Sequence, residues 1–595
     1  MEKMIKYKTR ALVIGSGCAG LNAADTLFDL GLTDVILATE GMNMGTSRNT
    51  GSDKQTYYKL SLTHDSVDGV GKMAESYVAG GAMSGVLALA ESANSLPCFF
   101  KLCRLGVPFP KNEFGEYVGY QTDHDDTKRA TSVGPLTSKY MTEALEKSVL
   151  SKNIKILDNT TVFKLFKNEK GICGALGYNR VENAFALIET PSIILATGGS
   201  AALYKESVFP LSQTGMSGMA YEIGAKSVNL TEWQYGLASV DFRWNVSGTY
   251  QQVLPRYISV DKDGTEREFL YDGLSNDEVL LYTFRKGYQW PFDSRKIDAS
   301  SKVDMLVHAE ILKGRKVYMD FMHNPKGFSI DSLPEEAYTY LKNSAALQET
   351  PIKRLRAMNE KAYRLYLDHG IDLEKDMLRV AVCAQHQNGG VRVDKDYQSD
   401  ISGLYICGEA AGVFGVYRPG GSALNSTQVS SMRASEHIAK TKRENVCDLT
   451  DEASRAIAEI DICEIENTEF LKRQAALQQK MSDYAAFSRN LDEICRMEQE
   501  VQALLSEKIS VAESQITKYL KYRDLLLTMR EVLCAMHLWC VEIGARGSAA
   551  LVGCAKIDES GKMIVTEGGK AHTKMPEPIP ESEVWFETIY NRKEG

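Results

Sequence analysis

No run of about 18 consecutive apolar residues occurs in this 595-residue chain, so the sequence carries no signal for a membrane-spanning helix. No C-x-x-C pair occurs either. The twelve cysteines are scattered from Cys18 to Cys554, and the nearest pairs, Cys98/Cys103 and Cys534/Cys540, lack the tight spacing usual for structural zinc and iron–sulfur clusters. The expectation is reduced thiols buried as small apolar residues, with no metal, cluster or haem held by the chain itself. A basic excess is also missing: 69 Lys+Arg against 78 Asp+Glu leave a formal charge of -9. That balance argues for solubility and against a nucleic-acid partner. The N-terminal MEKMIKYKTR shows neither an apolar signal region nor a small-residue cleavage site, and the expected location is the cytoplasm.

What is present is an ordinary globular composition, 44% apolar and 25% charged. The length exceeds what one core organises, so two to four domains are expected. Residues 11–14, ALVI, read as a buried parallel strand. Gly15-Ser16-Gly17-Cys18-Ala19-Gly20 follows at once, then the helical pattern LNAADTLFDLGL and a second apolar run, DVILAT, ending at Glu40. Each piece has a mechanical reason. Gly15 permits the tight turn, Gly17 lets backbone approach a pyrophosphate, and Gly20 lets helix and strand pack closely. The helix N-terminus offers free amides to the phosphates, and Glu40 is placed to accept from adenosine ribose hydroxyls. The pattern defines a dinucleotide site without separating FAD from NAD.

Other blocks make that distinction. IILATGG (193–199), TGMSGMAYEIGA (214–225), the Gly389-Gly390 pair, GLYICGEAAG (403–412) and RPGGSALN (418–425) occur in this order. Together they resemble the flavoprotein family of succinate dehydrogenase, fumarate reductase and L-aspartate oxidase, over about residues 10–550. The resemblance implies an α/β fold: a Rossmann-like FAD-binding domain, an inserted α+β capping domain and a C-terminal helical domain. It places the cofactor-binding domain at residues 1–232 and 346–445, the substrate cap at 233–345, and a helical domain with an extended tail at 446–595. The tail is expected to pack back through Trp585 and Phe586.

FAD is the implied cofactor. The resemblance assigns contacts to Ala19, Val162, Ala196, Thr197 and Gly198, to Gly408 and Glu409, and to Gly421, Ser422, Ala423 and Leu424. Members of the family with covalent flavin use a histidine in the loop after the second strand. Here that loop, GTSRNTGSDKQTYY, has none, and Asn49 stands at the linking position. Non-covalent FAD is expected, with Ser47, Asn49, Thr50 and Ser52 as candidate phosphate or flavin contacts.

The catalytic pattern departs from the family. Arg418 matches the substrate arginine, whose guanidinium binds a carboxylate through two parallel hydrogen bonds. His386 lies one residue off the usual histidine position, and its roles as ligand and as structural residue stay open. In TEWQYGLAS the second histidine position is Gly236, and the register of the proton-shuttling arginine falls on Ser300 or Ser301. Arg295 and Lys302 are nearby candidates for that task. Trp233, Tyr235, Phe242, Arg243, Trp244, Asn245, Tyr250 and Tyr257 form an aromatic and polar stretch, with Tyr235 or Tyr250 as candidate acid. The expected activity is hydride transfer between FAD and an activated carbon–carbon bond of a small organic acid. Oxidation of an amino or hydroxy acid, and electron transfer with an iron–sulfur or NADH-linked partner, stand as alternatives.

Overall fold

The computed structural model describes residues 3–122, 125–554 and 556–592. Its centre is a five-stranded parallel sheet in the order Leu404–Ile406, Ile193–Leu195, Ala11–Ile14, Val35–Ala38, Lys155–Leu157. The Ala11–Ile14, Val35–Ala38 and Ile193–Leu195 strands are buried throughout, as expected for a parallel sheet covered on both faces. The first strand feeds the Cys18–Asp29 helix, which packs against the long Ser422–Thr441 helix. A buried polar seam fixes that contact. Asn22 donates to Gln428 O at 3.1 Å and to Ser431 Oγ at 2.7 Å, and Ser435 donates to Ala23 O. A four-stranded sheet (Met4–Lys8, Ala184–Glu189, Gly171–Asn179, Thr160–Asn168) lies beside this core.

The cap is built on a six-stranded antiparallel sheet. Its order is Trp244–Asn245, Trp233–Ser239, Leu378–Gln387, Lys316–Asp320, Arg256–Val260, Glu266–Arg267. The Leu378–Gln387 strand, from the second segment expected in the cofactor-binding part, pairs in this sheet with strands of the segment expected to form the cap. Sequence periodicity does not reveal this, because a fully buried strand reads alike on either side of a domain boundary.

The C-terminal part contains the Thr450–Ala458, Glu469–Tyr484, Leu491–Ser506 and Ile516–Leu538 helices. The last is buried at every residue from Asp524 to Met529 and from Glu531 to Met536, so it is a core element rather than a surface one. A hairpin, Met563–Glu567 with Lys570–Lys574, then pairs with Ser227–Val228. The tail departs from expectation. Trp585 and Phe586 are 65% and 67% exposed. The return contact is made earlier, where Pro578 and Ile579 cover Gly85 and the Gly85 amide donates to Glu577 O. Glu581, Glu583 and Glu587 surround the aromatic residues, and such charges disfavour burial of this segment.

Arg129 is fully buried among Asp68, Asp125, Tyr58 and Ser76. Its fork contacts both oxygens of Asp68 at 2.9 and 2.7 Å. Removing one partner of such a cluster leaves charges buried and unpaired. Arg129→Leu is expected to cost about 3 kcal/mol or more, read as a fall in the denaturant midpoint. An unchanged midpoint would show that the cluster is not a stability determinant.

Candidate functional site

The strand–turn–helix at residues 11–29 creates a groove by steric necessity. Gly15 has φ 111°, and a Cβ there would lie 2.3 Å from Ala196 O. A Cβ on Gly20 would lie 1.9 Å from Gly15 O. Side chains are therefore forbidden where backbone, helix start and second crossover meet. The resulting cavity, about 540 Å³, is lined by Gly15, Gly17 and Ala19, by Glu40, Ser47, Thr50 and Ser52, and by Val162 and Ala196–Gly198. Gly408, Glu409, Gly421, Ala423 and Leu424 complete its far end.

Three expected contacts lie elsewhere. Gly20 packs against the Gly15 turn rather than lining the cavity. Ser422 turns its hydroxyl to Pro419 O at 2.7 Å and toward Arg418. Asn49 is exposed, its amide donating to Asn43 O and Gly45 O just before its own short helix. Asn49 thus lies off the cavity lining, because the Thr46–Asn49 turn carries Ser47 inward and Asn49 outward. Glu40 does line the cavity, but it also accepts from Thr161 and pairs with Lys521 of the C-terminal helix.

The cradle fits a flavin dinucleotide. The glycines leave room for a pyrophosphate where a Cβ would sit. Thr46 and Thr197 also face this cavity with buried hydroxyls that have no partner among the described residues. Such orphans call for an acceptor or donor supplied by a bound group.

At the opposite end lies a polar cluster. Arg418 is buried, donating to Gln234 Oε1 at 2.7 Å, with its Nε 3.3 Å from His386 Nδ1. His386 Nδ1 also lies 3.0 Å from Asn388 Oδ1. The Asn388 amide donates to Gly415 O, which leaves Oδ1 as the acceptor. Arg418 Nε–H donates to this same Nδ1, and the other ring nitrogen, Nε2, lies 3.9 Å from Glu409 Oε1. Burial, and then the adjacent Arg418 charge, hold the His386 pKa well below the ordinary imidazole range. The imidazole is neutral at physiological pH. Glu409 is pushed the other way. Burial raises its carboxyl to about 7, although the Gln387 amide and Arg418 oppose the shift.

The remaining candidates do not join this cluster. Tyr235 faces the C-terminal helices, its hydroxyl 2.8 Å from that of Tyr204. Its neighbour Gln234 takes the cavity side, as alternation along a strand requires. Arg295 is half exposed, forked onto Asp293 and stacked 4.0 Å over Tyr417. Lys302 sits on the Ser301–Leu312 helix beside Gly273. Neither lines the cavity. The aromatic stretch is mostly core. Tyr250 donates to Ala362 O, Tyr257 to Gln251, and Trp233 to Leu230 O. Sequence reasoning missed Gln234, although it stands in the very block searched for a histidine. It also missed Tyr288 and Trp290, which bring the cap to the cavity and carry no motif.

A Rossmann-like cradle, an inserted α+β cap and a helical C-terminal part define an FAD-dependent oxidoreductase. The FAD binding domain family matches residues 10–424, and the chain belongs to that family. One chain of the fumarate reductase (CoM/CoB) of Methanothermobacter marburgensis is 24% identical over 473 residues, covering 76% of this chain and 77% of that protein. L-aspartate oxidase of Bacillus subtilis is 24% identical over 448 residues, 72% of each chain. Among solved structures, Mycobacterium smegmatis Sdh1 superposes with TM-score 0.76 at 19% identity, over 97% of this chain and 95% of that one. The FrdA chain of E. coli quinol fumarate reductase gives 0.70 at 17% identity, over 98% of each. These structural likenesses establish the shared three-part fold.

Two tests follow from the geometry. Gly20→Ala is expected to abolish flavin retention while the cap stays folded, read as loss of the visible flavin band per purified chain. Full flavin content would show that the close approach at Gly15 is not required. The second test concerns pH. A carboxyl whose folded pKa is raised binds a proton more tightly when folded, so its contribution to stability is present at low pH and lost as pH rises through about 7. Flavin-free wild type should therefore gain thermal stability relative to Glu409→Gln as pH falls from about 8 to about 6. The depressed His386 acts in the opposite sense as pH falls through its unfolded value and cancels in this comparison. A constant difference would remove Glu409 as a titrating group.

Proposed function

We propose that the protein transfers a hydride between non-covalently held FAD and a carbon–carbon bond activated by a neighbouring carboxylate, acting as an enoate reductase. The observation that carries this reading is Arg418. Its guanidinium is buried at the cavity wall, beside the start of the Ser422–Thr441 helix and braced by Gln234. A cation fixed there binds a carboxylate through paired hydrogen bonds. The same charge favours electron density developing on the carbon next to that carboxylate. Bound FAD supplies the two-electron chemistry. The chain supplies orientation, charge and exclusion of water by the cap. The linking position is Asn49, turned away from the cavity, which supports non-covalent binding. Among the described residues no cluster of His, Cys, Asp and Glu is arranged to hold a metal ion, and an external donor, such as an iron–sulfur or NADH-linked partner in the cytoplasm, would replenish the electrons.

A second reading, oxidation of an amino or hydroxy acid, is favoured by one observation. Burial and the adjacent Arg418 keep His386 a neutral imidazole, the state required of a base that removes a proton from nitrogen or oxygen.

Anaerobic reoxidation of the reduced enzyme by fumarate, urocanate and aryl acrylates tests the first reading. At least one unsaturated acid is expected to reoxidise the flavin, and Arg418→Lys should lower its kcat/KM by about 100-fold with flavin content retained. Reoxidation by none of the acids, with reduction of the oxidised flavin by an amino or hydroxy acid, would establish the second reading instead.

A further inference from the structure

Trp290 connects the cofactor cavity to an adjoining cavity of about 420 Å³ that also holds Gln121, Thr122, Gln234 and Tyr288. The indole occupies a specific space. A Cβ on Gly236 would lie 2.4 Å from Trp290 Nε1 and 2.8 Å from Cε2. Gly236 thus exists to admit the ring. It is two residues along the strand from Gln234, which holds Arg418, a span of roughly 7 Å at most.

The loop that carries Trp290 is pinned at several points. Ser300 Oγ donates to Gln289 Oε1 at 2.8 Å. Ser301 Oγ accepts from Asp293 N at 2.9 Å, and Phe292 N donates to Tyr235 O at 2.7 Å. Gly236, Ser300 and Ser301 are three of the positions where the chain departs from its family's pattern. All three contact this one segment, so the departures form a single rearrangement. The Trp290 indole N–H is buried and has no acceptor among the described residues. A buried donor at a cavity wall calls for an acceptor supplied by a bound group or by water. Of the cations lining the two cavities, Arg418 is buried, Lys296 is paired with Asp293 and Lys54 is exposed beside Asp53. The site is thus built to hold one carboxylate deeply, next to an aromatic wall.

We propose that Trp290 determines substrate class, selecting unsaturated acids with a single carboxylate at Arg418 and a flat, largely apolar body against the indole. The N–H donates to an acceptor on that body where one is present. This inference rests on the reading of Arg418 as the carboxylate holder.

The test is a titration of the oxidised holoenzyme with cinnamate and with fumarate, followed by perturbation of the flavin spectrum. Wild type should bind cinnamate more tightly than fumarate. Trp290→Ala should weaken cinnamate by about tenfold or more with flavin content unchanged, and fumarate binding should not weaken. Gly236→Ala, which crowds the indole from the other side, should reproduce that loss. Arg418→Lys should weaken both acids together, so failure of the carboxylate reading is distinguishable from failure of this one. Tighter binding of fumarate by wild type, or cinnamate affinity unaltered in both Trp290→Ala and Gly236→Ala, would overturn the proposal. Loss of cinnamate binding in both variants, without turnover of cinnamate by wild type, would uphold the pocket while overturning the reduction.

Discussion

The approach of the Cys18–Asp29 helix to the turn at Gly15 is the constraint on which the molecule depends. With Gly20 against Gly15 O and Gly15 against Ala196 O, three backbone segments meet with no side chain between them. That meeting fixes where the helix N-terminus points and how far the Ile193–Leu195 crossover stands from it. The cavity is what remains once these distances are set. Its polar groups face inward because the central strands of the parallel sheet behind it, Ala11–Ile14, Val35–Ala38 and Ile193–Leu195, are apolar and offer their side chains no partner. Ser47 illustrates the consequence: held against Gly17, it accepts from the Cys18 amide at 3.1 Å and occupies the mouth of the phosphate groove.

A second constraint couples this cradle to the cap. The Trp233–Ser239 and Leu378–Gln387 strands pair over most of their length, and each ends in the site, at Gln234 and at His386. Arg418 bridges them from the flavin loop. The electrostatics follow from that bridge. One buried cation lowers the affinity of His386 for a proton and opposes the desolvation that raises Glu409. A charged imidazole beside Arg418 would be doubly penalised, so the cluster keeps one permanent positive charge and a neutral ring.

The sequence made the cradle legible because its residues are dictated by backbone geometry. Glycines at 15, 17 and 20, a strand before and an acid after carry their reasons locally. Arg418 was legible for a related reason: the glycines that follow it mark the turn that holds it. Tyr235, Arg295 and Lys302 were misplaced because proximity in sequence says nothing about which face of a strand or which partner a side chain takes. Asp293 claims Arg295, and strand alternation removes Tyr235. Trp290 had no readable signal at all. Its significance lies in the absence of a side chain at Gly236, more than fifty residues earlier, and such a complementarity exists only in three dimensions.

The same argument applies to the C-terminal helix, whose periodicity identified a helix but not its burial. Asp524 accepts from the Met219 amide at the start of the Gly218–Glu222 helix, and Lys521, one turn away, pairs with Glu40. Both contacts fall on the cofactor-binding part, one at the acid expected to hold the ribose. A carboxylate that accepts two ribose hydroxyls retains capacity for a cation, since it offers about four lone-pair sites. Lys521 therefore need not compete with the nucleotide. The Ile516–Leu538 helix thus packs on the cofactor-binding part, and its N-terminal half reaches an acid at the cavity edge.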